Sequence, residues 1–196
     1  MCVCPDCGSD LSFPIYCESC DKFFKLSPPL DFFQILVIEK SFNIEPDLIE
    51  SQYENLMSLI HPDFFANSSD EELKNLSLEY SSLAKQARDT LLKPYDKALY
   101  LFSSYFPDEE KKFPANPIFV NEMFELREEL EDMGKENSEL FNRTKSAYEF
   151  FLKEVTEFFE KLNDQNADVE KAKQFIAEFK FWLNIGELLE QIKKNG

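Results

Sequence analysis

LMSLIHPDFF, Leu56 to Phe65, carries the only histidine of the chain. His61 is followed by Pro62, Asp63 and two phenylalanines. Upstream, Leu48, Ile49, Gln52, Tyr53, Leu56, Leu59 and Ile60 recur at three- and four-residue spacing, which predicts an amphipathic helix. Pro46 suits its first position, and Pro62 ends it, because a proline ring disfavours helical geometry in the residue before it. Beyond the corner, Ser69 with Glu72 three residues on reads as a capping box. Leu73, Leu76, Tyr80, Leu83, Ala84, Ala87 and Leu91 then form the buried stripe of a second helix that stops at Lys93-Pro94. The stretch predicts an antiparallel helical hairpin with His61-Pro62-Asp63 at its bend, the aromatics exposed, and FFANSS as its loop.

The rest of the chain extends this pattern. After the SPPL boundary, DFFQILVI reads as a short apolar helix, and YDKALYLFSSYF as another after Pro94. DEEKKFPAN, residues 108–116, is a charged, proline-flanked linker. Three longer helices follow: IFVNEMFELREELEDM, a second over about 138–162, and a third over about 168–192. Breaks at Gly134-Lys135 and NDQNAD fit the turns of an antiparallel bundle. In the first of the three, Phe119, Met123, Leu126 and Leu130 form the core stripe. Val120, Phe124, Glu125 and Glu128 lie on an adjoining face, with Asp132 one turn further. Only four glycines in 196 residues, with long runs of Glu, Lys and Leu, favour helices over sheet.

All five cysteines lie in the first 20 residues. Cys4 and Cys7 in CPDC, and Cys17 and Cys20 in CESC, form two C-x-x-C knuckles. Facing each other, two such turns offer four sulfurs in a tetrahedron, which suits one structural zinc ion with no open coordination position. Gly8 sits where the first turn needs a permissive backbone, and SDLSFPIY between the knuckles reads as a short β-hairpin. So short a module cannot build its own core, and a metal would hold it together. Cys2 is a spare that competes with Cys4 as a ligand. A redox dithiol is the other reading of C-x-x-C, but it calls for a βαβ context that does not follow here.

The net charge of −17 is poorly suited to phosphate backbones or anionic membrane surfaces. It fits a basic protein partner, or simply a well-solvated helical surface. No apolar run approaches the length of a membrane helix. No basic-then-apolar leader or Arg- and Ser-rich presequence is visible. No serine–histidine pairing, second histidine or purposeful carboxylate dyad suggests catalysis by the chain itself.

An amphipathic helix ending in His-Pro-Asp, opposite a second helix and preceded by a short apolar one, resembles a J domain, the module that stimulates ATP hydrolysis by DnaK-class chaperones. The Phe64-Phe65 continuation and LLKPYDKALYL are similar to the HscB type (Jac type), the J-protein of iron–sulfur cluster assembly. The four-cysteine module in front resembles its eukaryotic members. The resemblance implies an all-α fold with a zinc-ribbon-like module at 1–26, a J domain at 31–106 and a C-terminal three-helix scaffold-binding domain at 116–194. It implies a chaperone contact through His61, Pro62 and Asp63. It also implies binding of an IscU-type scaffold through Val120, Asn121, Phe124, Glu125, Glu128 and Asp132, with Phe181 of EFKFWLNI. It gives the chain no enzyme activity of its own and no nucleic-acid or membrane partner. A homodimer stays open, and the location is mitochondrial by resemblance, or cytoplasmic.

Departures are visible. The helix before His61 is usually basic in J domains, yet no Lys or Arg occurs between Lys40 and Lys74. Phe64 stands where bacterial members often have Lys. Lys85 and Arg88 replace an amide and an aromatic, Asn121 an apolar residue, and Phe124 an aliphatic one. The alternatives are a general J-domain co-chaperone with a different client, a zinc-ribbon nucleic-acid adaptor, which the charge opposes, and a C-x-x-C oxidoreductase.

Overall fold

Residues 2–28, 30–133, 137–162 and 168–194 are described by the structure, a computed structural model. The turns expected at Gly134-Lys135 and at 163–167, and the side chain of Cys2, lie outside the described residues. The chain is mostly helical with little sheet, as its composition predicts, and divides into two compact units, Met1–Lys97 and Ala98–Gly196.

The first unit opens with four two-residue strands, β1 (Cys2–Val3), β2 (Asp10–Leu11), β3 (Tyr16–Cys17) and β4 (Lys22–Phe23). They pair as two antiparallel hairpins, β1 with β2 and β3 with β4. The expected single hairpin between the knuckles is therefore corrected. Each hairpin encloses a knuckle, and the intervening segment is shared between them through a Phe13–Tyr16 bridge. The reason is local: each C-x-x-C turn is closed by a left-handed residue directly after its second cysteine, Gly8 at φ 75° and Asp21 at φ 54°, which reverses the chain there.

α1 spans Phe32–Ile35, shorter than DFFQILVI suggested. Asp31 and Gln34 form a full capping box at its start. At its end the Ile38 amide bonds the Phe33 carbonyl and the Val37 amide bonds that of Gln34, the Schellman pattern. Val37 occupies the left-handed position at φ 54°, where glycine is usual.

α2 runs Pro46–Ile60 with Pro46 at its first turn, as expected. It buries Ile49, Leu56 and Ile60 and packs against α4, Glu71–Leu91. The cap of α4 is Asp70, not Ser69: the Asp70 carboxylate accepts from the amides of Glu72 and Leu73. A carboxylate at a helix N-terminus gains from the dipole as well as the hydrogen bonds, so the neighbouring aspartate wins over the serine. The buried face of α4 includes two serines, Ser77 and Ser81, among Leu76, Tyr80, Ala84, Ala87 and Leu91. Between α2 and α4 the expected loop is partly helical: α3, Pro62–Phe65, is a single turn. α5, Pro94–Tyr105, carries the boundary between the two units.

In the second unit, α6 is Pro117–Met133, α7 is Ser138–Lys161 and α8 is Val169–Lys194, each within a few residues of expectation. Both α6 and α7 pack against α8. Met123, Leu130, Leu140, Ile185 and Leu189 form a buried cluster, with Phe119 and Leu126 packed against it. The core stripe read from α6 is thus the one that faces inward.

Candidate functional site

The His61 corner is built by backbone chemistry on both sides. The His61 amide still bonds the Met57 carbonyl, closing α2. Pro62 follows at the first position of α3, where its missing N–H costs nothing. The His61 imidazole then caps α3: Nδ1 accepts from the Asp63 amide at 3.3 Å. With Nδ1 as acceptor, the neutral ring carries its proton on Nε2. The Phe64 amide bonds the His61 carbonyl at 3.0 Å. This leaves the Asp63 carboxylate with 86% of its surface exposed, an acceptor aimed at solvent and suited to a guanidinium.

The two aromatics part company, which corrects the expectation that both are exposed. Phe64 is 64% exposed, with its ring 5.8 Å from His61. Phe65 is buried. The corner is also held from α4. Ser77 Oγ donates to the Ile60 carbonyl at 2.8 Å, and Ser81 Oγ donates to the Ser77 carbonyl at 2.6 Å. Two turns further along α4, Arg88 forks onto Glu50 of α2 at 2.6 and 2.7 Å and lies 5.2 Å from the Tyr53 ring centroid.

Cys4, Cys7, Cys17 and Cys20 converge, with all four sulfurs within 4.8 Å of one another. The Cys4–Cys20 and Cys7–Cys17 sulfurs are 3.7 and 3.6 Å apart. Four sulfurs about 2.3 Å from a tetrahedral zinc would stand about 3.8 Å from each other, so the donor set fits such an ion. The thiols are unequal. Hydrogen bonding with Ser9 brings Cys7 down to about 6, while burial and the neighbouring thiols push Cys20 up to about 12. Four thiolates this close repel one another, and a cation is what their common ionisation requires.

On the second unit, α6 presents Val120, Asn121, Phe124, Glu125, Glu128 and Asp132 at three- and four-residue spacing, all exposed except half-buried Val120. Phe124 is 57% exposed. Phe181 of α8 meets it edge to face, centroids 6.4 Å apart, and meets Phe119 at 5.7 Å. The structure therefore brings Phe181 to Phe124, nearly sixty positions away in sequence, on the helix that carries the other predicted residues. The result is an apolar centre with an acidic rim. Ile118, exposed three residues before Asn121, extends the apolar part and escaped the sequence reading. Its signal was available in the i, i+3 spacing.

The residues supporting the His61 corner were also missed. Ser77 and Ser81 sit four apart on a stripe otherwise apolar, a pattern that marks buried hydroxyls with a backbone partner.

The family model described as "HSCB C-terminal oligomerisation domain" matches residues 115–190. The mouse protein named iron-sulfur cluster co-chaperone protein HscB is 27% identical over 191 residues, 95% of this chain and 77% of its own length. The human protein of the same name is also 27% identical, over 89% of this chain and 74% of its own length. The crystal structure of the human co-chaperone protein HscB superposes with a TM-score of 0.67 at 25% identity, covering 97% of this chain and 98% of that one. Together these similarities support the HscB co-chaperone family. Among the described residues, no helix is long and apolar enough to cross a membrane.

Proposed function

We propose that this chain is an HscB-type J-protein. It binds an IscU-type iron–sulfur cluster scaffold and stimulates the ATPase of a DnaK-class chaperone, promoting cluster transfer to acceptors. The observation that carries the reading is the Asp63 carboxylate, held out at the end of α2 by the His61 cap and Pro62. Asp63 accepts hydrogen bonds from a cationic group of the chaperone, for which arginine is the best match. Pro62 fixes the turn and His61 orients it. ATP is hydrolysed on the partner, and no group of this chain enters the reaction.

In this reading 1–26 is the metal module, 31–106 the J domain and 116–194 the scaffold-binding domain. Val120, Asn121, Phe124 and Phe181 form the docking centre for the scaffold, and Glu125, Glu128 and Asp132 form an acidic rim for a basic partner. Cys4, Cys7, Cys17 and Cys20 hold one structural zinc ion. Carrying both docking sites in one chain raises the effective concentration of scaffold at the chaperone. A mitochondrial or a cytoplasmic site of action fits equally.

The second reading is a J-domain co-chaperone with a different client, which the departures at Asn121 and Phe124 favour. Calorimetric titration of an IscU-type scaffold into the chain, and into its Phe124→Ser/Phe181→Ser form, decides between the two. Scaffold binding that weakens more than about tenfold in the double variant supports the first reading, since a buried aromatic anchor is worth at least about 1.4 kcal/mol. Equal binding by both forms, or none by either, favours the second.

A further inference from the structure

We propose that the four-cysteine module is a support for the His61-Pro62-Asp63 corner, with Tyr16 and Phe23 as positioning residues that act through Phe65, so that presentation of Asp63 depends on metal occupancy. The inference rests on the reading of that corner as the chaperone contact.

α3 is one turn long, and a helix this short has no stability of its own. Its backbone contributes few internal bonds, so a side-chain anchor has to fix it. Phe65, two residues after Asp63, is that anchor: it is buried while Phe64 is exposed. Its ring packs against Phe23 with centroids 5.3 Å apart and against Tyr16 at 6.2 Å. Phe23 in turn stacks on Tyr80 of α4 at 6.1 Å. The Tyr80 hydroxyl donates to the Phe24 carbonyl at 2.7 Å, fastening the end of β4 to the hairpin.

The rings that hold Phe65 belong to the strands that carry metal ligands. Tyr16 directly precedes Cys17 in β3, Phe23 lies three residues after Cys20, and Tyr16 pairs with Phe23 across the two strands. A two-residue strand pair around a C-x-x-C turn has no core of its own, so its closure is coupled to metal binding. Loss of the ion therefore loosens Tyr16 and Phe23, frees Phe65 and releases the turn that presents Asp63. The link is a contiguous set of packed rings, all within the first compact unit.

His61 is the only histidine, so its ring resonance reports this corner alone. The full chain would be compared zinc-loaded, stripped by a chelator, and reloaded with zinc. The readouts are the His61 ring signal, amide exchange at Asp63 and Phe64, and stimulation of a DnaK-class ATPase. Stripping is expected to shift or broaden the His61 signal, to raise exchange at both amides by about tenfold or more, and to lower stimulation, while amides in α2 and α4 stay protected. Reloading restores all three.

Phe65→Ala in the zinc-loaded chain is expected to reproduce these changes with the metal still bound, and Phe65→Leu to recover most of the loss. This arm decides the matter if stripping unfolds the whole unit. An unmoved His61 signal and unchanged exchange, on stripping or in Phe65→Ala, would overturn the proposal. The chaperone reading fails separately, if the zinc-loaded chain and its Asp63→Asn form give equal ATPase rates. The two spectroscopic readouts then still decide the coupling.

Discussion

The Ser77 hydroxyl of α4 donates a 2.8 Å hydrogen bond to the carbonyl of Ile60, the last residue of α2. The bond is buried and spans the hairpin one residue before His61. It satisfies a helix-end carbonyl that has no partner within its own helix. Ser81 Oγ also lies 3.3 Å from this carbonyl, but its shorter bond, 2.6 Å, goes to the Ser77 carbonyl, so it is the weaker of the two donors. Ser77→Ala should therefore cost about 1 kcal/mol, the net value of one lost hydrogen bond, with Ser81 left as a longer donor to the carbonyl. Urea midpoints at constant m-value measure it, and an unchanged midpoint would show that water or Ser81 fills the place.

Val37 points to a stabilising change. It takes the left-handed position of the α1 Schellman motif at φ 54°, with half of its surface exposed. That geometry costs a β-branched residue roughly 1–2 kcal/mol, while glycine adds about 0.5–1 kcal/mol of unfolded-state entropy. Val37→Gly is predicted to gain roughly 0.5–1 kcal/mol, seen as a rise of a few degrees in Tm. A fall in Tm would mean that the side chain's contacts outweigh its strain.

Electrostatic steering should be weak at the chaperone contact. No Lys or Arg occurs between Lys40 and Lys74, and Arg88 is committed to Glu50 and the Tyr53 ring. The rate of association with the chaperone should stay nearly flat as salt rises from about 0.05 to 0.3 M. Stopped-flow mixing measures this, and a steep decline would reveal a cationic surface elsewhere.

Alkaline pH should destabilise the fold through its shielded tyrosine hydroxyls. Burial raises the Tyr80 and Tyr148 hydroxyls, and burial together with Asp21 raises Tyr16. An acid whose folded-state value is raised binds its proton more tightly when folded. Its stabilisation is complete below the unfolded value of about 10 and is lost as pH climbs past it. Urea midpoints should be level up to about pH 9 and fall above about pH 10. A level profile beyond that range would mean that these hydroxyls ionise without cost.

The helical framework was legible because local signals agree with it. Pro46, Pro62 and Pro94 punctuate the chain, and the spacing of Leu56, Ile60, Leu76, Ala84 and Leu91 repeats on the faces that are buried. The cysteine cluster was legible from the spacing of its knuckles. What escaped were partners distant in sequence. Phe65 looked like a loop aromatic because the rings that bury it, Tyr16 and Phe23, come from a module some forty residues upstream. Ser69 looked like a cap because Ser-x-x-Glu and Asp70 compete for the same amides, and only the geometry shows that the carboxylate takes them. In the second unit, the stripe of α6 gave its core face, while the meeting of Phe124 with Phe181 depends on how α6 packs on α8.

The most direct measurement is steady-state ATP hydrolysis by a DnaK-class chaperone with an IscU-type scaffold present, comparing the chain with its Asp63→Asn form. Asp63 is exposed and makes no core contact, so the substitution leaves the fold intact. The account predicts stimulation by the native chain and its loss, by about tenfold or more, in the variant, because a neutral amide forfeits the charge-assisted bond. Equal rates with both forms would contradict the assignment of His61-Pro62-Asp63 as the chaperone contact.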